Sequence, residues 1–295
     1  MTRSVDFALA AAATAVWGST YLVTTELLPA GYPMTAALLR ALPAGLILLA
    51  VTRDLPRGIW AIRVLILGAL NFSLFWWLLF VAAYTLPGGI AATVGAVQPL
   101  IVLGLSRAIL GQAIHPLAVV AGIGGVIGVG LLVLSPAAAA LDPVGLLAAL
   151  VGALSMAAGT VLTRRWQPPV PALTFAAWQL TAGGILLLPV ALLMEPPLPA
   201  LTFANVAGFV WLTLIGGAVS YIFWFRGVGR LGPNAVAPLV LLSPVTAVLL
   251  GAAVLGQIPG PVQTMGMILV LGSVWLSGRV NRLEPDRADR SLTKR

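Results

Sequence analysis

The sequence predicts an all-α membrane protein: ten transmembrane helices that form two inverted five-helix repeats, with both termini in the cytoplasm. Three observations support this prediction. The 295-residue chain is 60% hydrophobic and 8% charged, with a mean hydropathy of +1.06, whereas soluble domains carry about 25% charged residues. Its arginines fall between apolar runs on one side of the predicted membrane. Its two halves share a pattern of prolines and glycines.

Apolar runs near the roughly 20-residue length that crosses a bilayer follow one another along the chain. Short connections rich in Pro, Gly and charged residues separate them, as is typical of turns. The first run continues through Trp17 to Val23, longer than a typical signal-peptide core, so we expect it to be retained as a helix. The ten predicted helices cover approximately residues 5–26, 33–51, 61–84, 88–108, 115–135, 143–163, 171–194, 203–226, 233–255 and 260–279.

The arginines predict the orientation. Arg3 precedes the first helix and further arginines mark every second connection and the tail. The other five connections contain no Lys or Arg, and their charged residues are the acids Glu26, Asp142 and Glu195. The positive-inside rule places the basic connections and both termini in the cytoplasm, as in a multi-pass protein of the inner cell membrane. The net charge of +8 does not indicate a nucleic-acid partner, because the arginines punctuate apolar runs instead of clustering on one domain. The expected partners are the lipid bilayer and a small-molecule substrate.

The composition excludes several kinds of catalytic and metal site. The chain has no Cys and one His, which excludes disulfides, thiol catalysis and clusters of Cys or His around a metal. His115 lies in a short connection beside Pro116 and has no acidic partner nearby in the sequence. We therefore expect no catalytic residue, no metal and no cofactor, and a membrane enzyme is the weaker alternative.

The internal repeat appears when the sequence is shifted against itself so that Pro99 falls on Pro244. The same shift sets the LGQ triplet at 110–112 on the LGQ triplet at 255–257. Each half holds five predicted helices, an odd number, so the second half enters the membrane upside down. This inverted repeat is a transporter architecture.

A second segment of the repeat aligns at a slightly different shift. In the second helix, AGLILL (44–49) parallels GGILLL (183–188). The predicted domains are therefore a first repeat, 1–136, and a second repeat, 137–280. The basic tail, 281–295, is predicted to be disordered in the cytoplasm.

The two repeat-related prolines are predicted helix bends. A proline frees the carbonyl one turn earlier and bends the helix. The polar residues Gln98 and Ser243 directly precede Pro99 and Pro244. Either they face a central cavity, or they hydrogen-bond to backbone groups that the prolines leave unpaired.

A substrate site is expected near mid-membrane, between the two halves. Such pockets have apolar and aromatic walls with a few polar groups. Trp76 and Tyr221 fall on each other in the shift that aligns the prolines, which places them at equivalent depth. For each aromatic residue, packing against lipid or core remains the alternative. The predicted substrate-binding residues are Trp17, Tyr21, Asn71, Phe72, Trp76, Gln98, Ser155, Met156, Tyr221, Trp224 and Ser243.

Arg40 is the exception to the placement of the arginines, about a third of the way into the second helix. A charged residue inside a membrane helix is a functional candidate by default. Arg40 could attract the carboxylate of a substrate. The favoured interpretation is that its long side chain extends outward and forms a charge pair with Glu26 on the extracellular side.

Taken together, these features resemble the ten-helix, EamA-type members of the drug/metabolite transporter superfamily. The matching segments are WGSTY (17–21), LLRALPAGLILL (38–49), the paired Q-P and S-P steps, the LGQ endings and the late-helix glycines, and the resemblance covers residues 5–280. The aromatic richness is similar to that of the YddG-type exporters of aromatic amino acids. Family members usually carry Glu in the ending written here as LGQ, so no role of that carboxylate transfers to Gln112 or Gln257.

The expected function is export of small metabolites, above all aromatic or other neutral amino acids, by alternating access. No Asp or Glu lies at the middle of a predicted helix. Proton-coupled carriers generally need an ionisable group within the membrane, so we expect an uncoupled facilitator. The alternatives are a drug or metabolite carrier of the same fold, coupled or uncoupled, and a channel or scaffold. The oligomeric state is not predicted.

Overall fold

The structure is a computed structural model, and it describes residues 3–85, 95, 97–133, 142–256 and 260–283. The described residues form ten helices, which confirms the predicted all-α class. The first half of the predicted fourth helix and most of the tail lie outside the described residues. The helices are α1 (Arg3–Trp17 and Ser19–Leu27), α2 (Pro33–Thr52), α3 (Ile59–Gly68, Ala69–Ser73 and Leu74–Thr85), α4 (Gln98–Leu110), α5 (Pro116–Val133), α6 (Pro143–Arg165), α7 (Ala172–Met194), α8 (Phe203–Thr213, Leu214–Val219 and Ser220–Leu231), α9 (Pro233–Val236, Ala237–Leu241 and Leu242–Leu255) and α10 (Pro261–Leu283).

Seven of these helices are long and apolar enough to cross a membrane, by length and composition: α1, α2, α3, α6, α7, α8 and α9. The described parts of α4, α5 and α10 contain shorter apolar helices. Large apolar side chains point outward, with Leu193 85% and Phe203 90% exposed. Lipid tails suit such a surface, since contiguous exposed apolar patches of this kind are rare on soluble monomers.

The helices of the two halves pack against each other in symmetry-related pairs. α1 of the first half packs on α8, and α6, the equivalent of α1, packs on α3, the equivalent of α8. The equivalents α2 and α7 contact each other, as do α5 and α10. This exchange of contacts fits an inverted repeat.

The contact of α2 with α7 depends on two glycines at equivalent positions. A Cβ on Gly45 would collide with Thr181, and a Cβ on Gly184 would collide with Leu42. The alignment of AGLILL with GGILLL sets Gly45 on Gly184, and it also sets Leu42 on Thr181. The two contacts are therefore the same contact seen from each half, and small residues let the helix backbones approach closely.

Both α3 and α8 contain a π-helical segment at the same place in the repeat. The segments are Ala69–Ser73 and Leu214–Val219, and their first residues fall on each other in the shift that aligns the prolines. π-segments are rare and often lie at functional sites. Because a π-segment interrupts the regular ladder of helix hydrogen bonds, some carbonyl groups must find partners outside their own helix.

The LGQ triplets end α4 and α9. Gly111 and Gly256 both adopt the left-handed conformation, with φ of 66° and 67°. Their N–H groups donate to the carbonyls of Ser106 and Gly251, which closes the last turn of each helix. Glycine adopts positive φ without steric cost. The glycine shared by the two triplets is therefore explained by the backbone conformation at the helix end.

The two prolines lie at helix starts. Pro99 is the second residue of α4, and Pro244 is the third residue of the α-helical part of α9, which follows a 3₁₀ segment, Ala237–Leu241. In a first turn the missing N–H costs no hydrogen bond. Pro244 therefore lies close to a change from 3₁₀ to α-helix in α9. Most residues just before Pro99 lie outside the described part of the chain, and the bends at both prolines stay a prediction.

Candidate functional site

A cavity with a volume of about 120 Å³ lies between the two halves. Helices α1 to α4 contribute residues from the first half, and α6, α8 and α9 contribute from the second. An engineered protein cavity of about 150 Å³ holds benzene, so the volume suits a small aromatic group. The predicted site residues in its wall are Trp17, Arg40, Trp76, Gln98, Pro99, Met156, Tyr221, Ser243 and Pro244.

Aromatic rings form one wall of the cavity. The ring centroids of Trp17 and Tyr221 are 4.7 Å apart, and those of Trp76 and Tyr221 are 5.6 Å apart. Trp76 and Tyr221 are repeat equivalents that contact each other, which places them at the pseudo-two-fold axis between the halves. Trp76 and Tyr221 are each 1% exposed, so packing holds them in place.

Phe72 and Trp224 lie behind this wall. Phe72 is fully buried and contacts Tyr221 at a centroid distance of 4.6 Å, and Trp224 is fully buried 5.2 Å from Trp17. Neither contributes to the cavity lining. Their position supports the rings that face the cavity. The side chain of Tyr21 lies outside the described part of the chain.

Asn71 and Ser155 face a helix contact and do not line the cavity. Ser155 Oγ donates to the carbonyl of Leu70, inside the π-segment of α3, at 2.7 Å. Asn71 Nδ2 donates to Gln179 Oε1 at 2.8 Å and to Thr163 Oγ1 at 3.3 Å. These bonds connect α3 to α6 and α7 at the π-segment, which is a structural use of both residues.

Arg40 is directed into the protein, so the favoured prediction of an outward pair with Glu26 is wrong in this structure. Its guanidinium is buried, donates from Nη2 to the carbonyl of Gly216 at 3.0 Å, and lies 4.5 Å from the centre of the Trp76 ring. Glu26 is exposed at the end of α1. The carbonyl in the π-segment of α8 and the face of Trp76 hold the cation at the cavity wall, where cation–π contact stabilises it.

The polar residues before the prolines both line the cavity. Gln98 is 3% exposed, and its Nε2 has no hydrogen-bond partner among the described residues. Ser243 adjoins the break in α1, because a Cβ on Gly18 would collide with the Ser243 carbonyl oxygen. Of the two alternatives for these side chains, the cavity-facing one fits this placement.

An ion-pair network closes the end of the α1–α8 contact away from the cavity. The buried carboxylate of Asp6 accepts from Arg226 Nε at 2.7 Å and from Arg230 Nη1 at 3.3 Å. Arg164 on α6 donates to the Gly229 carbonyl beside them. Sequence reasoning placed these arginines only as topology signals and did not pair them with Asp6.

Sequence reasoning also missed a wall of small residues. α6 presents Gly152 and three alanines to the cavity, and α3 adds Ala82. Small side chains leave room that Leu or Phe would fill. The signal was present in the alanine-rich sequence of α6, but the same composition also fits close helix packing. The missed α6 alanines are Ala148, Ala149 and Ala153, and the other missed wall residues are Thr20, Phe75, Leu79, Gly95, Val240 and Leu241.

Comparison with known proteins agrees with this architecture. The model of the EamA-like transporter family matches the chain twice, at residues 6–134 and 143–279. Protein PecM of Dickeya dadantii is 44% identical over 261 residues, which cover 88% of this chain and 87% of PecM. The uncharacterized inner membrane transporter YedA of Escherichia coli K12 is 26% identical, over 88% of this chain and 86% of YedA. A solved structure with 22% identity aligns with a TM-score of 0.82, covering 96% of this chain and 100% of that one.

The fold and the matched family define a multi-pass membrane transporter for a small-molecule substrate, not an enzyme. The chain belongs to the EamA-like transporter family, within the drug/metabolite transporter superfamily.

Proposed function

We propose that the protein exports small metabolites, above all aromatic or other neutral amino acids, by alternating access as an uncoupled facilitator. The observation that supports this most directly is the aromatic cavity between the two halves. Tyr221 lies with its ring centroid 4.7 Å from that of Trp17 and 5.6 Å from that of Trp76. Aromatic solutes stack favourably on the faces and edges of such rings.

The charges of the site support the proposed lack of proton coupling. Of the described residues that line the cavity, none is an Asp or Glu. Asp6 is the buried acid of the described α1, and it is held by two arginines away from the cavity. A relay that moves protons through the membrane needs an ionisable group that can gain and lose them there.

The membrane orientation is part of the proposal. We place both termini on the cytoplasmic side of the inner membrane, with residues 1–136 and 137–280 as the two repeats that move around the site. The chain contains no Cys, so an introduced cysteine is the one thiol that a thiol-reactive reagent can label. Leu55→Cys should be labelled by an impermeant reagent only after the cells are permeabilised, and Ala200→Cys should be labelled in intact cells. The reverse pattern would invert the orientation.

The function is tested in proteoliposomes with one labelled aromatic amino acid, competed against a panel of other amino acids, metabolites and drugs. Saturable counterflow of the labelled solute is the expected result, and it would exclude both a simple channel and a scaffold. An imposed pH gradient should not cause accumulation. Accumulation driven by that gradient would refute the uncoupled mechanism. Preference for a drug over every amino acid would refute the proposal that amino acids are the substrates.

Trp17→Ala removes a ring from the cavity wall and should lower transport about tenfold at unchanged membrane abundance, since loss of an aromatic contact costs roughly 1–1.5 kcal/mol. Trp60→Ala is the matched control, because Trp60 contacts Arg63 and Phe175 outside the cavity. Equal rates in Trp17→Ala and the wild type would remove Trp17 from the site.

A further inference from the structure

We propose that Arg40 and Gln98 form a carboxylate-binding subsite within the cavity, so that the transporter selects aromatic carboxylates and rejects aromatic amines. This inference rests on the proposed function, because it names the part of the solute that these two polar residues of the cavity wall recognise. Arg40 is in α2 and Gln98 is at the start of α4, and both line the same cavity.

The position of Arg40 makes it suited to an anion. Its side chain is buried, with Arg40 3% exposed, so its charge is little screened by solvent. The contact with Trp76 and the bond to the Gly216 carbonyl fix its orientation before a solute arrives. A preorganised guanidinium matches a carboxylate in planar geometry, and such charge-assisted bonds are stronger than neutral ones.

Gln98 supports the carboxylate-binding subsite independently of Arg40. Its Nε2 group is an N–H donor, it is buried, and it lacks a partner among the described residues. A buried donor without a partner carries a free-energy cost, which a bound acceptor would remove. A carboxylate can accept from several donors at once.

The charge balance of the cavity favours the same ligand. Of the described residues in its wall, Arg40 is the one with a formal charge. A bound ammonium group would therefore meet a like charge in a poorly hydrated site, which is unfavourable. A carboxylate would meet an opposite charge there, and the ammonium group of the same amino acid would contact the ring faces of Trp17 and Tyr221.

The other half of the molecule shows that the fold itself does not need this charge. The alignment of AGLILL with GGILLL sets Arg40 on Gln179, and the alignment of the prolines sets Asn71 on Gly216. Gln179 and Asn71 contact each other through neutral groups at 2.8 Å, at the same junction where Arg40 contacts Gly216. A neutral pair thus closes the equivalent junction, and the arginine is an addition on the side that faces the cavity.

Gly216 provides the room for this addition. A Cβ on Gly216 would lie 3.3 Å from Arg40 Nη2, tighter than most contacts between side chains. Asn71 occupies the corresponding position in the first half. The pair of Arg40 and Gly216 therefore acts as a unit that places a cation beside the aromatic wall.

The test uses proteoliposomes that contain the full chain and exchange labelled L-tryptophan. Three competitors differ only at the polar end: indole-3-propionate keeps the carboxylate, whereas tryptamine and tryptophanamide lack it. We expect indole-3-propionate to compete within about threefold of tryptophan. We expect the two others to compete at least about tenfold more weakly, because a charge-assisted hydrogen bond contributes that factor or more.

Variants assign the preference to the two residues. Arg40→Gln copies the neutral residue of the other half and should reduce the preference for carboxylate over amide about tenfold, while Arg40→Lys should keep part of it. Gln98→Leu should reduce the preference by a smaller factor. Arg63→Gln is the matched control, since Arg63 also stacks on a tryptophan, Trp60, but lies outside the cavity.

The outcomes separate this inference from the proposed function. Exchange of tryptophan without preference for carboxylates, or with the same preference in Arg40→Gln, overturns the subsite and leaves the proposed function standing. No exchange of any indole solute overturns both. Should Arg40→Gln fail to reach the membrane, an unchanged preference in both Arg40→Lys and Gln98→Leu overturns the subsite. If Arg40 had a purely structural role, Arg40→Gln would weaken the binding of all four solutes by the same factor, and that result also overturns the subsite.

Discussion

The π-segments of α3 and α8 have the same backbone position and different partners. Asn71 in the α3 segment donates to the neutral Gln179, whereas at the equivalent position in α8 the carbonyl of Gly216 accepts from the charged Arg40. The repeat preserved the irregular helix, but the groups that satisfy it diverged. The difference shows that the charge beside the cavity belongs to one half and not to the architecture.

The ends of the two symmetry-related helix pairs differ in the same way. The α1–α8 pair is tied by Asp6 and its two arginines. The equivalent α3–α6 pair meets through Ala82, Ala148 and Ala149, which are buried against each other and line the cavity. An ion pair therefore closes one end, while the other end is held by small apolar side chains that leave space.

The largest expected effect comes from replacing Gly216 of α8, which contacts Arg40, by the Asn that stands at the equivalent position of α3. Gly216→Asn would fill the space of the Arg40 guanidinium and displace a buried charge from its partner, which should cost roughly 3–5 kcal/mol of stability. Thermal unfolding in detergent measures this loss.

The double variant Gly216→Asn with Arg40→Gln is the control for that change. It rebuilds the neutral pair that Asn71 and Gln179 form in the first half. A double-mutant cycle should show recovery of at least half of the lost stability. Additive losses in the double variant would contradict the equivalence of the two junctions.

A smaller effect is expected at the end of the α1–α8 contact that Asp6 and its two arginines hold together. Asp6→Asn removes the charge that accepts from Arg226 and Arg230, and loss of such charged hydrogen bonds should weaken the α1–α8 contact by about 1.5–3 kcal/mol. Ala10 is fully buried against α8, so Ala10→Cys reports opening by its labelling rate. We expect that rate to rise about tenfold or more.

The matched control for this end is Glu26→Gln, which changes an exposed acid at the other end of α1. It should leave the labelling of Ala10→Cys unchanged. Equal labelling in Asp6→Asn and the parent would show that the ion pair does not hold this contact closed.

The smallest effect is expected where Ser155 of α6 donates to the Leu70 carbonyl in the π-segment of α3. Ser155→Ala leaves the Leu70 carbonyl without its hydroxyl donor and should lower stability by about 1 kcal/mol, with transport largely retained. Thr160→Ala is the control, because that hydroxyl bonds to Met156 within its own helix. A loss of transport in Ser155→Ala at normal stability would place Ser155 in the solute pathway instead.

Sequence patterns predicted the helices well because the length of an apolar run reflects the thickness of the membrane directly. The shared LGQ endings also had a local cause, the positive φ of Gly111 and Gly256. The π-segments were not predicted: Ala69–Ser73 has no Pro or Gly, and the two glycines of Leu214–Val219 fit close helix packing equally well. Such segments depend on packing against the other half.

The direction of Arg40 was predicted wrongly for a similar reason. The distance of Arg40 from the helix end suggested that its side chain could reach water. Its inward direction depends on Gly216, which is far away in the sequence, in the other half of the chain. Comparison of Arg40 with Gln179 and of Gly216 with Asn71 would have indicated the contact, because the repeat relates both pairs.

Arg40 also affects whether the transporter leaks ions down the gradients across the membrane. A carrier that opens to each side in turn exposes its central cavity to the proton and alkali-cation gradients. A fixed cation beside such a path raises the electrostatic barrier for protons and other cations, as arginine does in selective pores. The buried guanidinium of Arg40 would therefore let an uncharged or anionic solute leave the cell without a leak of protons or sodium ions through the same route.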